Sequence, residues 1–163
     1  IAVALFISYM GIYVINKLLL LRVFFLIFII FSLEISFSYA QTLKMEYEHE
    51  EKVAFAITAD LLSFQDRYED IMVDGILKPT PMTELGERKH PFFKRIIPNY
   101  FAGATDWGRY LLERNGLPRG CSYVQVKENI SAMYNEKPLV NKGFYRMYIF
   151  DRHIVIRFLN DSD

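Results

Sequence analysis

Hydrophobic positions in this 163-residue chain follow three successive patterns. Residues 18–33, LLLLRVFFLIFIIFSL, are apolar at almost every position and show no amphipathic period. Such a run suits lipid, or burial on all sides, rather than one face of a small core. Further on, Val53, Ile57, Leu61, Phe64, Tyr68 and Ile71 step by 4, 4, 3, 4 and 3. That spacing predicts a helix over 46–73 with one buried stripe, stopped by Asp74-Gly75. Glu46 to Glu51 place negative charge at its N-terminal end, where the helix dipole favours it. The stretch KPTPMTELGE then reads as a loop because of Pro79, Pro81 and Gly86.

A second helix is expected from Pro91 to Asn115. Phe93, Ile97, Tyr100, Ala104, Trp107 and Leu111 form its stripe, Pro98 interrupts it, and Trp107 is expected as a core anchor against the first helix. Tyr123, Val126, Ile130 and Met133 suggest a shorter third helix over 119–136. The pattern then changes to period 2, with Ile154, Ile156 and Phe158 alternating against His153, Val155 and Arg157. Phe144 to Phe150 is rich in aromatics, so two short strands are expected. Asp151-Arg152 would form the turn, although it lacks the Gly that a two-residue hairpin prefers. The fold class is therefore mainly α, about three helices, with a short C-terminal β-hairpin and an N-terminal apolar signal or anchor helix. Residues 41–163 would form a single small α-rich domain.

The apolar run carries the clearest statement about destination. Lys17 and Arg22 supply positive charge, and Ser38 and Ala40 make a small-x-small site, so a signal peptidase would cut between Ala40 and Gln41. Met10 is a candidate start residue. The rival reading is a permanent anchor. Residues 23–39 just reach the roughly 20 positions that a spanning helix needs, if Glu34 reaches toward the interface. Ile1–Ile15 is a second apolar stretch, so a hairpin of two short spans stays open, and membrane contact would run through residues 1–39. A buried core helix is disfavoured because no face is polar.

Composition narrows the function classes. Removing Lys17, Arg22 and Glu34 from the 19 basic and 19 acidic residues leaves 17 and 18, close to balance. A nucleic-acid binder should carry a basic excess, so nucleic acid is not an expected partner. Residues 46–74 are acidic and residues 78–119 lean basic, as two solvated helix faces that attract each other would be. Cys121 is the single cysteine, so no disulfide can form within the chain, and a small buried thiol is the simple reading. Gln41 follows the cleavage site where a lipoprotein would need Cys.

Candidate chemistry is sparse. Glu46, His49 and Glu50 lie at i, i+3 and i+4 on one helical face and are the only weak metal candidates; a solvated acidic helix start explains them equally. His90, just before Pro91, would cap the second helix or serve as a base, with Asp106 as an acidic partner. These two are the weak catalytic candidates. Asp106, Trp107 and Arg109 could also line a ligand pocket. Asp66, Glu69, Asp70 and Asp74 read as a solvent-facing side. No Gly-rich phosphate loop, GxSxG or CxxC occurs, and no cofactor is implied.

Leu85-Gly86, His90-Pro91 and Tyr100-Phe101, followed by Tyr110-Leu111-Leu112, Glu128 and Asn135, fall in an order that resembles small, uncharacterised bacterial exported or inner-membrane proteins. Those proteins carry an acidic-Asn-Pro-x-Leu-Gly-x-His-Pro turn ahead of a Tyr-Phe pair. Here Thr80-Pro81 stands in place of Asn-Pro, and Arg88 and Lys89 are extra. The resemblance implies a helical domain at the envelope and no activity. Taken together, the sequence suggests an exported envelope protein of the periplasm or cell envelope, non-enzymatic, that binds a protein or envelope partner. Alternatives are a small exported hydrolase using His90 and an acidic residue, and a membrane-embedded accessory subunit.

Overall fold

The computed structural model describes residues 2–118, 122–126, 134 and 136–159, and it divides into two compact units, Ile1–Gln41 and Thr42–Asp163. The first helix, α1 (Ala2–Leu62), runs without interruption through the apolar run and on into the second unit. Within it lies a stretch long and apolar enough to cross a membrane, with mean hydropathy 2.6 and none of that window buried. Phe24, Phe28 and Leu33 are among its many exposed large side chains.

The second unit sets helices on one face of a five-stranded sheet. The strands are β1 (Asp70–Asp74), β2 (Ser122–Gln125), β3 (Val140–Asn141), β4 (Tyr145–Phe150) and β5 (His153–Phe158). Their spatial order is β2-β1-β5-β4-β3. β1 runs parallel to both β2 and β5, whereas β4 is antiparallel to β5 and β3. The helices after α1 are α2 (Pro81–Lys89), α3 (Phe93–Ile96) and α4 (Asp106–Arg114). Mainly helical content and a C-terminal hairpin are as expected, but the hairpin supplies two of the five strands of a larger sheet.

One face of that sheet carries Ile71, Val73, Tyr145, Met147, Ile154, Ile156 and Phe158 into the main core. Val53, Ala54, Ile57 and Leu61 of α1 and Leu111 and Leu112 of α4 cover it. On the opposite face Tyr148 and Val155 pack with Met72, Val126 and Tyr134. The Asp151-Arg152 turn closes the hairpin with φ of 43° and 69°, the positive pair that a two-residue turn between twisted strands requires. Glu69 compensates for the missing glycine, donating its N–H to the Arg152 carbonyl at 2.8 Å and ion-pairing with the Arg152 guanidinium at 2.5 Å.

Several expected boundaries move. The helix expected over 46–73 ends at Leu62, where the Ser63 hydroxyl donates to the Ala59 carbonyl, and a short 3₁₀ turn, Gln65–Arg67, leads into β1. Ile71 is buried as expected, but as one of an alternating pair with Val73. The proline-rich stretch expected as a loop contains α2, whose N-cap Thr80 precedes Pro81 at the first helical position. The helix expected over 91–115 is split into α3 and α4 by Pro98 and by Gly103 at φ 83°. The interruption resets the helical phase. Gly108, Leu111 and Leu112 face inward, and Trp107 is 65% exposed instead of anchoring the core. Residues 122–125, expected in the third helix, form β2; the rest of that expectation lies largely outside the described residues, as do Cys121, Glu128 and Asn135.

Candidate functional site

The stripe of α1 that faces the core does not begin with apolar residues. Thr42, Glu46 and Glu50 extend it N-terminally at i, i+4 and i+8, and all three are buried. A buried carboxylate is costly unless donors surround it. Here the donors come from the connection between β1 and α4, where much backbone lies outside regular structure. Glu46 Oε2 accepts the Thr80 N–H at 3.0 Å and the Thr83 hydroxyl at 2.5 Å. The Thr80 hydroxyl in turn accepts the Thr83 N–H at 3.1 Å. Glu46 therefore sits at the positive end of α2 and completes its cap from another element.

Glu50 holds the far end of the same connection. Its Oε1 accepts the Tyr100 N–H at 2.6 Å. Burial pushes its carboxyl up to about 7; the Tyr100 N–H pulls the other way, and the neighbouring Glu46 adds a smaller upward push. Between these two anchoring points lies a cavity of about 390 Å³ lined by Glu46, Ile76, Thr83, Glu87, Lys94 and Asn99, among others. Asn99 donates its amide to the Leu77 carbonyl at 2.9 Å. Glu46 Oε1 and Asn99 Oδ1 are both buried without a hydrogen-bond donor from the described residues.

Glu46, His49 and Glu50, the metal candidates, share a helix but not a site. The two carboxylates are engaged with backbone and hydroxyl donors, while His49 borders a separate cavity of about 450 Å³ with Leu77, Pro79, Thr80 and Phe144. Among the described residues no group of three or more His, Cys, Asp or Glu is gathered in metal-binding proximity.

The catalytic candidates are likewise apart. His90 was expected to start a helix; it is the C-cap of α2, its N–H donating to the Gly86 carbonyl at 2.8 Å. Pro91 disfavours helical geometry at the residue before it, which ends α2 there. The His90 ring lies 4.9 Å from that of Phe93, and its Nε2 is buried without a hydrogen-bond partner among the described residues. Asp106 is exposed in the first turn of α4, behind the N-cap Thr105, whose hydroxyl accepts the Gly108 N–H at 3.0 Å. No hydrogen bond or ion pair joins His90 to Asp106. Trp107 meets Tyr100 and Tyr110 at ring distances of 5.9 and 6.3 Å, and Arg109 Nε lies 3.5 Å from Glu113 Oε1.

Two polar contacts come from distant pairings. His153 Nδ1 lies 3.2 Å from Asp70 Oδ2, an ion-pair distance without hydrogen-bond alignment, because β5 places it opposite Asp70 of β1. The Tyr145 hydroxyl donates to Asp60 Oδ2, which also lies 2.7 Å from Lys142 Nζ. Comparison with protein-family models, curated proteins and solved structures gives no match.

Proposed function

We propose that this chain is a membrane-anchored envelope protein whose second unit is a non-enzymatic binding domain. The observation that carries the reading is the continuity of α1, in which an exposed apolar stretch and the buried stripe of a folded domain belong to one uninterrupted helix. Ser38, Tyr39 and Ala40, the expected cleavage residues, lie inside that helix. A peptidase needs them unwound, so retention is favoured over removal of residues 1–40. The positions of His90 and Asp106 at a helix end and a helix start support the binding reading over the hydrolase alternative. An exposed cluster of Trp107, Tyr110 and partly buried Tyr100 favours a binding role, since aromatics are enriched where proteins meet partners.

Intact-mass measurement on protein extracted from membranes tests the reading. Retention of residues 18–40 and resistance to alkaline carbonate extraction are expected. A mature N-terminus at Gln41, with the protein in the soluble fraction, overturns it.

A further inference from the structure

The segment from Pro81 to Ile96 has an unusual exposed surface. Its exposed positions hold four large apolar side chains, Met82, Leu85, Phe92 and Ile96, and four cations, Arg88, Lys89, Lys94 and Arg95. The segment's two acids, Glu84 and Glu87, are partly buried, and Glu84 ion-pairs with Arg88 at 3.7 Å. The four cations outnumber these two acids, although the Glu84 side chain is itself 44% exposed and Glu84 and Glu87 line one open cavity with Arg88 and Lys94. Along α2, Met82, Leu85 and Lys89 form one stripe, beside the inward stripe of Thr83 and Gly86. In and before α3, Phe92 and Ile96 are spaced to share a side, with Phe93 turned into the protein.

We propose that this α2–α3 segment docks on an anionic phospholipid surface, with Leu85, Phe92 and Ile96 entering the headgroup boundary and the cations contacting lipid phosphates. Large apolar residues interleaved with Lys and Arg are the composition of an interfacial helix. A protein-facing patch would instead deplete Lys toward its centre. Long basic side chains lay their stems on apolar surface and extend the charge to the headgroups.

Reach is assured by the chain itself. α2 rests on Thr42, the first residue of the second unit; a Cβ at Gly86 would come within 2.7 Å of the Thr42 hydroxyl. Thr42 follows Leu33, the last residue of the apolar run, by nine positions. Even fully extended, those residues span only about 30 Å. The segment is therefore never far from a membrane that holds residues 18–33. This inference rests on the anchored reading above.

The test uses the full chain with Trp107→Phe, so that one introduced tryptophan reports alone. Phe28→Trp reports on the anchor; Phe92→Trp and, separately, Leu85→Trp report on the docking surface. Each protein is reconstituted into vesicles of acyl-brominated phosphatidylcholine, pure or mixed equally with phosphatidylglycerol. Quenching at position 28 in both lipids is expected, together with quenching at 92 and 85 that is strong only in the anionic mixture. Replacing Arg88, Lys89, Lys94 and Arg95 by Gln should weaken docking about fivefold for each cation removed. Quenching at 28 but not at 92 or 85 overturns the docking proposal and leaves the anchor standing. No quenching at any position overturns both. Equal quenching at 92 in the two lipids overturns the role of the cations and, with it, recognition of an anionic surface.

Discussion

Helix α1 carries two sequences that obey different rules. From 18 to 33 it is apolar on every side and its side chains stay exposed. From 42 to 61 only one stripe is inward, and that stripe changes from Thr42, Glu46 and Glu50 to Val53, Ile57 and Leu61. The difference shows what a helical pattern encodes: the angular width of whatever surrounds it. A sheet and short helices occupy one side, so one stripe suffices. A surround without direction selects no phase. Backbone hydrogen bonding is continuous across both parts, so the contrast lies in the side chains alone.

The sharpest way to break this contrast is to delete equivalent apolar mass from each half. Ile57→Ala should cost about 2–5 kcal/mol of domain stability, the range for emptying a packed position. Phe28→Ala should leave the domain's unfolding within about 0.5 kcal/mol, as for an exposed site. Chemical denaturation in detergent reads both, and similar losses would mean that the first half is packed after all.

The buried acids predict the next effect. The ordinary carboxyl value for Glu50 is 4.5 and its folded value is about 7. The folded protein therefore binds this proton more tightly than the unfolded chain does. The resulting stabilisation is fully present below about pH 4.5 and is lost as pH rises through about 7. Relative to Glu50→Gln, which stays neutral and keeps an acceptor for Tyr100, the native protein should lose up to about 3 kcal/mol over that window, at 1.36 kcal/mol per pKa unit. Urea midpoints measured for both proteins from acid to mildly alkaline pH check this; parallel curves would place Glu50 in water.

Two smaller effects test positions away from the stripe. Trp107→Ala should cost about 1 kcal/mol or less, the value of its exposed ring contacts. A loss several times larger would return Trp107 to the core. Arg152→Gly relieves a positive φ that glycine adopts freely, and should raise stability by about 0.5 kcal/mol after losing an exposed ion pair. A lower melting temperature would show that the Glu69 contact outweighs the strain.

Much of the fold was legible where the pattern had a single cause. Val53, Ile57 and Leu61 were visible as a stripe, and the terminal alternation gave β5. The Asp151-Arg152 turn was visible from its position between two strands. The departures of the structure from the pattern share a physical origin. Ile71 fitted a helical step by coincidence, because one inward residue satisfies either period, and neighbours on β2 and β5 decided the matter. Trp107 leaves the stripe because helical phase does not carry across a break such as Pro98 to Thr105. For the site, the spacing of Glu46 and Glu50 fits a solvated acidic helix start as readily as a buried stripe. Stepping the Val53 stripe backwards through Glu50, Glu46 and Thr42 would have marked them as inward. Their partners, Thr80, Thr83 and Tyr100, lie 34 to 50 positions away and leave no local trace.

The position of β1 in the sheet bears on how the protein is made. β1 lies between β2 and β5, and Ile71 pairs with Tyr123 on one side and Ile154 on the other. Both partners leave the ribosome long after β1 does, whereas residues 18–33 precede all of them. Non-local strand pairing is slow, and unpaired edges invite aggregation. The edge of β1 that β2 covers can close first, but the edge that pairs with β5 stays open until the C-terminal hairpin is complete. In the anchored protein proposed above, attachment to a bilayer during that interval would hold neighbouring chains apart and limit the encounters by which unfinished sheets join one another.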